Sequence, residues 1–269
     1  MAFNLTGTIR ERMITELFIP QVRKSMVADA FVTTKTAVDA ESIKVWGIGS
    51  VTVGDYTGGD VAGVDHVDTS VLLTLDEAKY FKERVEKIDN EQSALDILPA
   101  ILTQGGYEIG QAIDGDVFTA LATTTSIVPT IALDASNVVS FIGSMSVKLT
   151  NAGAPRLGRA LALTPEIVAL LAEANITLNT TTAEEATKEG FIGRFYGFDI
   201  YETTNLPAGA TGTEVIASVA RGGALGLGFN ELAIEDVTGQ FYTVAKGLTN
   251  YGVKLVKDAY VAKCDATLA

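Results

Sequence analysis

Apolar and polar positions alternate between Val67 and Leu73, so that Val67, Thr69, Val71 and Leu73 share one side of an extended segment. A weaker alternation around glycines runs through GIGSVTVGDYTGGD, residues 47–60. Between the two lie Gly58, Gly59 and Gly63 among Asp55, Asp60, Asp65 and Asp68. The pattern predicts a long two-stranded hairpin over 44–82 with a wide, acidic, glycine-rich tip. Two strands alone are at best marginally stable in water, so the hairpin needs a surface to pack on. No neighbouring stretch of the chain obviously supplies one.

The period then changes. Leu95, Leu98, Leu102, Ile109, Ile113, Val117 and Leu121 recur at helical spacings, predicting a helix from about Asn90 to Ala122. Its length would be on the order of 48 Å at 1.5 Å per residue. Asp89 with Gln92 resembles a capping box at its start. Pro99 and the glycines at 105, 106, 110 and 115 are expected to weaken or bend it, and to let another backbone approach closely.

Upstream, Ile9, Met13 and Leu17 predict a short helix stopped by Pro20, followed by an arm to Val38. Downstream, 123–136 reads as a connector. Val138, Ile142, Met145 and Leu149 predict a second helix ended by Gly153 and Pro155. Arg159–Leu163 reads as a strand, with Thr164 as N-cap and Pro165 opening a third helix. Residues 176–193 form a polar loop, and RFYGFDIYETTNLP reads as one strand closing at Pro207. VIASVA and GALGLGF follow, then three β-prone runs separated by Gly247, Asn250 and Lys257–Asp258. This order is α+β, without the βαβ alternation of nucleotide-binding sheets.

Composition adds a constraint. The 269-residue chain is 47% apolar, with a mean hydropathy of +0.27. Yet no run approaches the roughly 18 uncharged apolar residues of a membrane span. The excess must be buried inside the subunit or between subunits. The net charge of −13 argues against gripping nucleic acid by phosphate neutralisation, but is compatible with a wall that merely surrounds it. No signal peptide precedes the arm, so synthesis in a cytoplasm is expected and the triplets at Asn4, Asn175 and Asn179 read as chance.

No constellation for catalysis emerges, and neither a cofactor nor a metal is expected. His66 is the only histidine, which removes histidine-based triads and most zinc sites. The aspartates at 55, 60, 65 and 68 miss the calcium-loop spacing. GGALGLGF, 222–229, lacks the Lys-Ser/Thr of a phosphate loop and reads as strand packing. Cys264 is the only cysteine, which excludes an internal disulfide, and without a histidine partner it reads as inert.

The segments GSVTVGDYTGGD, LLTLDEAKYFKERVEKIDNEQS, IGRFYGFDIYETTNLP and YTVAKGLTNYGVKLVKDAYVA, in that order, resemble those of tailed-bacteriophage major capsid proteins with the Hong Kong 97 fold. The resemblance runs from the arm to Ala262. It implies an α+β fold with an N-terminal arm (1–44), an extended hairpin loop (45–82), a peripheral domain (83–124 and 231–269) and an axial domain (125–230). The 90–122 helix would be the spine of the peripheral domain. It further implies self-assembly as pentamers and hexamers into an icosahedral shell enclosing double-stranded DNA in a virion, assembled in a host cytoplasm. Separate scaffolding, portal and decoration proteins would be partners, and DNA would be held without sequence-specific contact.

On this reading the hairpin packs on a neighbouring subunit through Val53, Tyr56, Val61, Val64, Val67, Val71 and Leu73. Some relatives weld their shells through a lysine of the extended loop and an asparagine of the peripheral domain. Here no lysine lies between Val45 and Ala78, although Asn250 is present, so no covalent cross-link is expected. Met1 leads directly into the arm, so no cleaved scaffolding segment is expected either. The alternatives are an encapsulin-like compartment around cargo protein, a metal enzyme using His66 and its aspartates, and a surface adhesin, which the missing secretion signal opposes.

Overall fold

The structure, a computed structural model, describes residues 22, 26–36, 42–45, 70–86, 97–174, 190–237 and 239–269. The expected helix near Ile9, the pair Asp89 and Gln92, Leu95, and the hairpin tip 46–69 lie outside them. In chain order the first elements are β1 (Val32–Thr36), β2 (Ser42–Val45), β3 (Val71–Thr74), β4 (Glu77–Glu86) and helix α1 (Ile97–Leu121). Next come β5 (Ile127–Leu133), α2 (Val138–Asn151), β6 (Arg159–Leu163), α3 (Pro165–Glu173), β7 (Phe191–Phe195) and β8 (Phe198–Glu202). The chain closes with β9 (Thr213–Val219), β10 (Gly223–Asp236), β11 (Tyr242–Leu255) and β12 (Val261–Leu268).

Two larger sheets result: four strands in the order β1–β10–β11–β4, and six in the order β5–β12–β9–β6–β8–β7. Helix α1 lies against the four-stranded sheet, burying Leu102, Ile109, Ile113, Val117 and Leu121 as its periodicity predicts. Pro99 falls in its first turn, where a missing N–H removes no intrahelical bond. The close approach expected of the glycines is realised at Gly105. A Cβ there, or on Gly247 of β11, would lie 2.9 or 2.3 Å from the Phe81 ring, which is pinched between helix and sheet.

The six-stranded sheet is covered on both faces. Leu161, Leu163, Val215 and Ala217 face the core under α2 and α3, while Ala160, Ala162 and Ile216 face Phe31 and Phe118. That double burial is why RALAL is apolar throughout, Arg159 excepted, rather than alternating. Helix α2 ends as its sequence predicts. Gly153 turns left-handed at φ 75°, Ala154 N–H donates to the Leu149 carbonyl and Gly153 N–H to that of Thr150, the paired bonds of a Schellman motif.

Several expectations are corrected. The connector 123–136 contains β5, recruited by parallel pairing with β12. The segment ending at Pro207 is two strands, because Tyr196 and Gly197 both take positive φ and turn β7 back onto β8. Strand β11 runs unbroken through Gly247 and Asn250, since each pairs on both sides, with β10 and with β4. The sequence order hides a parallel β6–β8 pair connected through α3.

Strand pairing also links segments across the expected domain limits. β12 pairs with β5 and β9, so 261–268 belongs to the six-stranded sheet rather than to the four-stranded one. β10 enters the four-stranded sheet at Gly223, ahead of residue 231. β1 of the expected arm, and residues 77–82 of the expected loop, are strands of that same sheet. Hydrogen-bond partners far along the chain make all four of these links.

Candidate functional site

The base of the hairpin is β2 paired antiparallel with β3: Ser42 opposite Thr74, Ile43 opposite Leu73, Lys44 opposite Leu72 and Val45 opposite Val71. The chain therefore leaves this pair at Val45 and rejoins it at Val71. This root has a home in its own subunit, contrary to the expectation of an uncovered limb. Two glycines make the seat. A Cβ on Gly252 of β11 would stand 1.8 Å from the Thr74 carbonyl oxygen, and one on Gly226 of β10 would stand 2.6 Å from Leu75. With no side chains there, β3 lies directly on the sheet.

Of the residues expected to contact a neighbouring subunit, Val53, Tyr56, Val61, Val64 and Val67 lie outside the described residues, as do His66 and its aspartates. Val71 is half-buried. Leu73 faces its own chain. It is 2% exposed and sits over Gly226 with Ile43, so its apolar area is spent inside its own chain. The alternation puts Leu72 on the outer side instead, 55% exposed.

Two carboxylates of α1 tie this region together. Asp114, fully buried, accepts hydrogen bonds from Val27 N–H at 2.8 Å and Ala28 N–H at 3.0 Å. It thereby holds the turn that leads into β1. Asp116 accepts a hydrogen bond from the Tyr251 hydroxyl and pairs with Lys79 at 3.1 Å. Burial, then the Asp116 contact, pushes the Tyr251 phenol well up, keeping it a donor. Neither carboxylate is visible as a functional residue in the sequence. The signal present is an Asp-Gly-Asp triplet inside an apolar helix.

At one end of the six-stranded sheet lies an apolar groove of about 580 Å³ between α2 and the edge strand β5. Ile127, Pro129, Val139, Val147 and Tyr196 line it, Gly143 lies at its floor near the Tyr196 ring, and Lys148 stands at its side. Ile127, Val147 and Tyr196 are each more than half exposed. Beside it, the loop after α2 presents Leu157 at 91% exposure. The loop is clamped by Arg159, itself 2% exposed. Its guanidinium donates to the carbonyls of Ala154, Pro155 and Ser146 and to the hydroxyls of Ser146 and Thr150. Burial, then neighbouring Arg156, pulls the Arg159 pKa down. Sequence reasoning missed this surface because its parts come from three separate stretches.

Elsewhere the polar chemistry fastens loops. The Asp258 carboxyl would be raised by burial, but hydrogen bonds from Thr124 and Thr125 hold it below its ordinary value. Thr211 and Gly212 N–H groups do the same for Asp265. Cys264 is buried, and burial, then Asp265, pushes its thiol up to about 11, so little reactive thiolate exists near neutrality. Among the described residues no group of three or more His, Cys, Asp or Glu is placed to hold a metal ion, and no helix is long and apolar enough to cross a membrane.

No protein-family model and no curated protein matches the chain in sequence. Solved structures do match it in shape. A structure from Mycobacterium phage Che8 has a TM-score of 0.65 at 22% identity, covering 84% of this chain and 85% of that one. The capsid of Cyanophage P-SCSP1u has a TM-score of 0.67 at 12% identity, covering 91% and 89%. A virus-like particle from Pyrococcus furiosus has 0.59 at 13%, covering 95% and 98%. The chain has the α+β Hong Kong 97-type capsid fold over most of its length.

Proposed function

We propose that the chain is the major capsid protein of a tailed bacteriophage, assembling as pentamers and hexamers into an icosahedral shell around double-stranded DNA. The observation that carries this reading is the match in shape to the Che8 and P-SCSP1u structures over more than four-fifths of both chains. The hairpin root supports it: Val45 pairs with Val71, and the glycines of β10 and β11 seat β3 on the sheet.

Copies hold together through many modest contacts, which become strong by multiplicity while leaving each one reversible. The protein acts as a wall and not as an enzyme. Packaged DNA is enclosed rather than gripped, given a net charge of −13. Scaffolding, portal and decoration proteins are the further partners of this reading, and the virion is its location. No covalent weld joins the subunits, because no lysine lies between Val45 and Ala78.

Electron microscopy of the purified protein tests it. Closed particles are expected from the full chain, and none when 46–69 is replaced by a two-residue turn in a subunit that still folds. Closed particles from the shortened chain would refute the role of the limb. The likeness to the Pyrococcus furiosus virus-like particle favours a second reading, an encapsulin-like compartment. Genomic DNA inside isolated particles supports the first reading, and a protein cargo the second.

A further inference from the structure

Helix α2 presents two parallel rows to the groove beside β5. Val139, Gly143 and Val147, spaced four apart, form an apolar row, and Ser140, Ser144 and Lys148 form a polar row next to it. The opposite wall holds Ile127 and Pro129, two apart in β5 and therefore on one side of that strand. With no side chain at Gly143, the Tyr196 ring comes against the helix, where a Cβ would stand 3.6 Å from it. The result is a trough with apolar walls and one polar rim.

Its dimensions select the occupant. From Val139 to Val147 the apolar row runs about 12 Å at 1.5 Å per residue. A volume of about 580 Å³ over that length leaves a cross-section of about 48 Å², roughly 7 Å across. An α-helix with its side chains is about 10–12 Å wide and does not fit down the trough. An added strand is opposed as well. β5 is an edge of its sheet, but Pro129 has no N–H to offer a partner strand. An unbranched aliphatic chain does fit, and the volume lies within the roughly 300–1,000 Å³ of small-ligand sites.

Charge decides the head group. Among the described residues, Lys148 is the only charged side chain lining the groove, and no carboxylate pairs with it. It directly follows Val147, at the C-terminal end of the apolar row. A chain lying along that row therefore brings its head group to the ammonium. Asn151, also in the groove wall, adds an amide donor at the same end. An anion with an apolar tail complements all of these features.

We propose that the groove between α2 and β5 binds an aliphatic carboxylate of medium chain length. The chain lies along Val139, Gly143 and Val147 opposite Ile127, and the carboxylate meets the Lys148 ammonium. The site is complete within one chain and does not depend on shell formation.

Calorimetric titration of the purified full-length protein with hexanoate, octanoate and decanoate, each below its micelle concentration, tests it. Each added methylene is expected to tighten binding about twofold to fourfold, the upper figure corresponding to full burial of a CH₂. Affinity that does not change with chain length overturns the proposal. Lys148→Gln is expected to weaken octanoate about fivefold, the upper end for an exposed ion pair, and to leave octanol binding unchanged. Equal losses for the two ligands, or no loss for octanoate, overturn it. The place of binding is read with a decanoate analogue carrying a terminal diazirine, photolysed on the protein in its native oligomeric state and mapped by mass spectrometry. Adducts are expected within 127–129, within 139–151 or at Tyr196, and excess decanoate should suppress them. Adducts only elsewhere overturn the proposal. So does an unlabelled groove, the result expected if a second copy of the chain covers it.

Discussion

At the residue scale, what matters most in this chain is where side chains are missing. Gly252 allows β3 to lie on β11, and a methyl group there would stand 1.8 Å from a carbonyl oxygen. Gly252→Ala should cost about 1–3 kcal/mol by overpacking, seen as a lower melting temperature. Gly115→Ala is the internal control: nothing lies within 4 Å of its Cβ. Better helix propensity should raise stability by up to about 1 kcal/mol. Opposite signs in the same melting experiment are expected; equal losses would mean that the Gly252 seat is looser than described. Asp114 makes the complementary case, a polar group that cannot be spared. Asp114→Ala orphans the N–H groups of Val27 and Ala28, each at roughly 1–3 kcal/mol. Asp114→Asn, which keeps one acceptor, should lose less in the same denaturant titration.

At the scale of elements, β12 lies between β5 and β9 in the six-stranded sheet. Its apolar positions Ala262, Cys264 and Ala266 face the α2–α3 core, and that burial has a pH signature. The Cys264 thiol titrates near 11 when folded, against an ordinary value of 9.0. The folded state therefore holds its proton more tightly. The stabilisation this brings is complete below about pH 9 and is lost as pH rises through about 11. The stability advantage of the natural protein over Cys264→Ala should shrink across that window. An advantage constant from pH 8 to about pH 11 would contradict the burial of this thiol. Thiol reagents near neutrality should label the unfolded chain and spare the folded one.

At the scale of the whole molecule, two apolar cores share one sheet, and apolar surface still remains on the outside at the hairpin root and at the α2–β5 groove. Copies that each carry −13 repel one another at long range, while apolar contacts act only on touching. Salt of about 0.5 M, with a Debye length of a few ångströms, screens the first and spares the second. Light scattering should show a larger assembled fraction at high salt than at low salt. Assembly that weakens steadily with salt would mean that ion pairs dominate the contacts.

The sequence by itself determined the elements with strong local signals. The periodicity of 102–121 and 138–149, Pro165 opening α3 and Gly153 closing α2 all follow from patterns a few residues long. Local pattern fixes local conformation because backbone dihedrals and burial period are set by near neighbours. Tertiary structure alone decided which sheet β12 joins, that 123–136 contains a strand, and that Leu73 turns inward. It also decided that Ile127, Val147 and Tyr196 line one groove. Those outcomes depend on hydrogen bonds and contacts between stretches far apart in the chain, whose register no single stretch encodes.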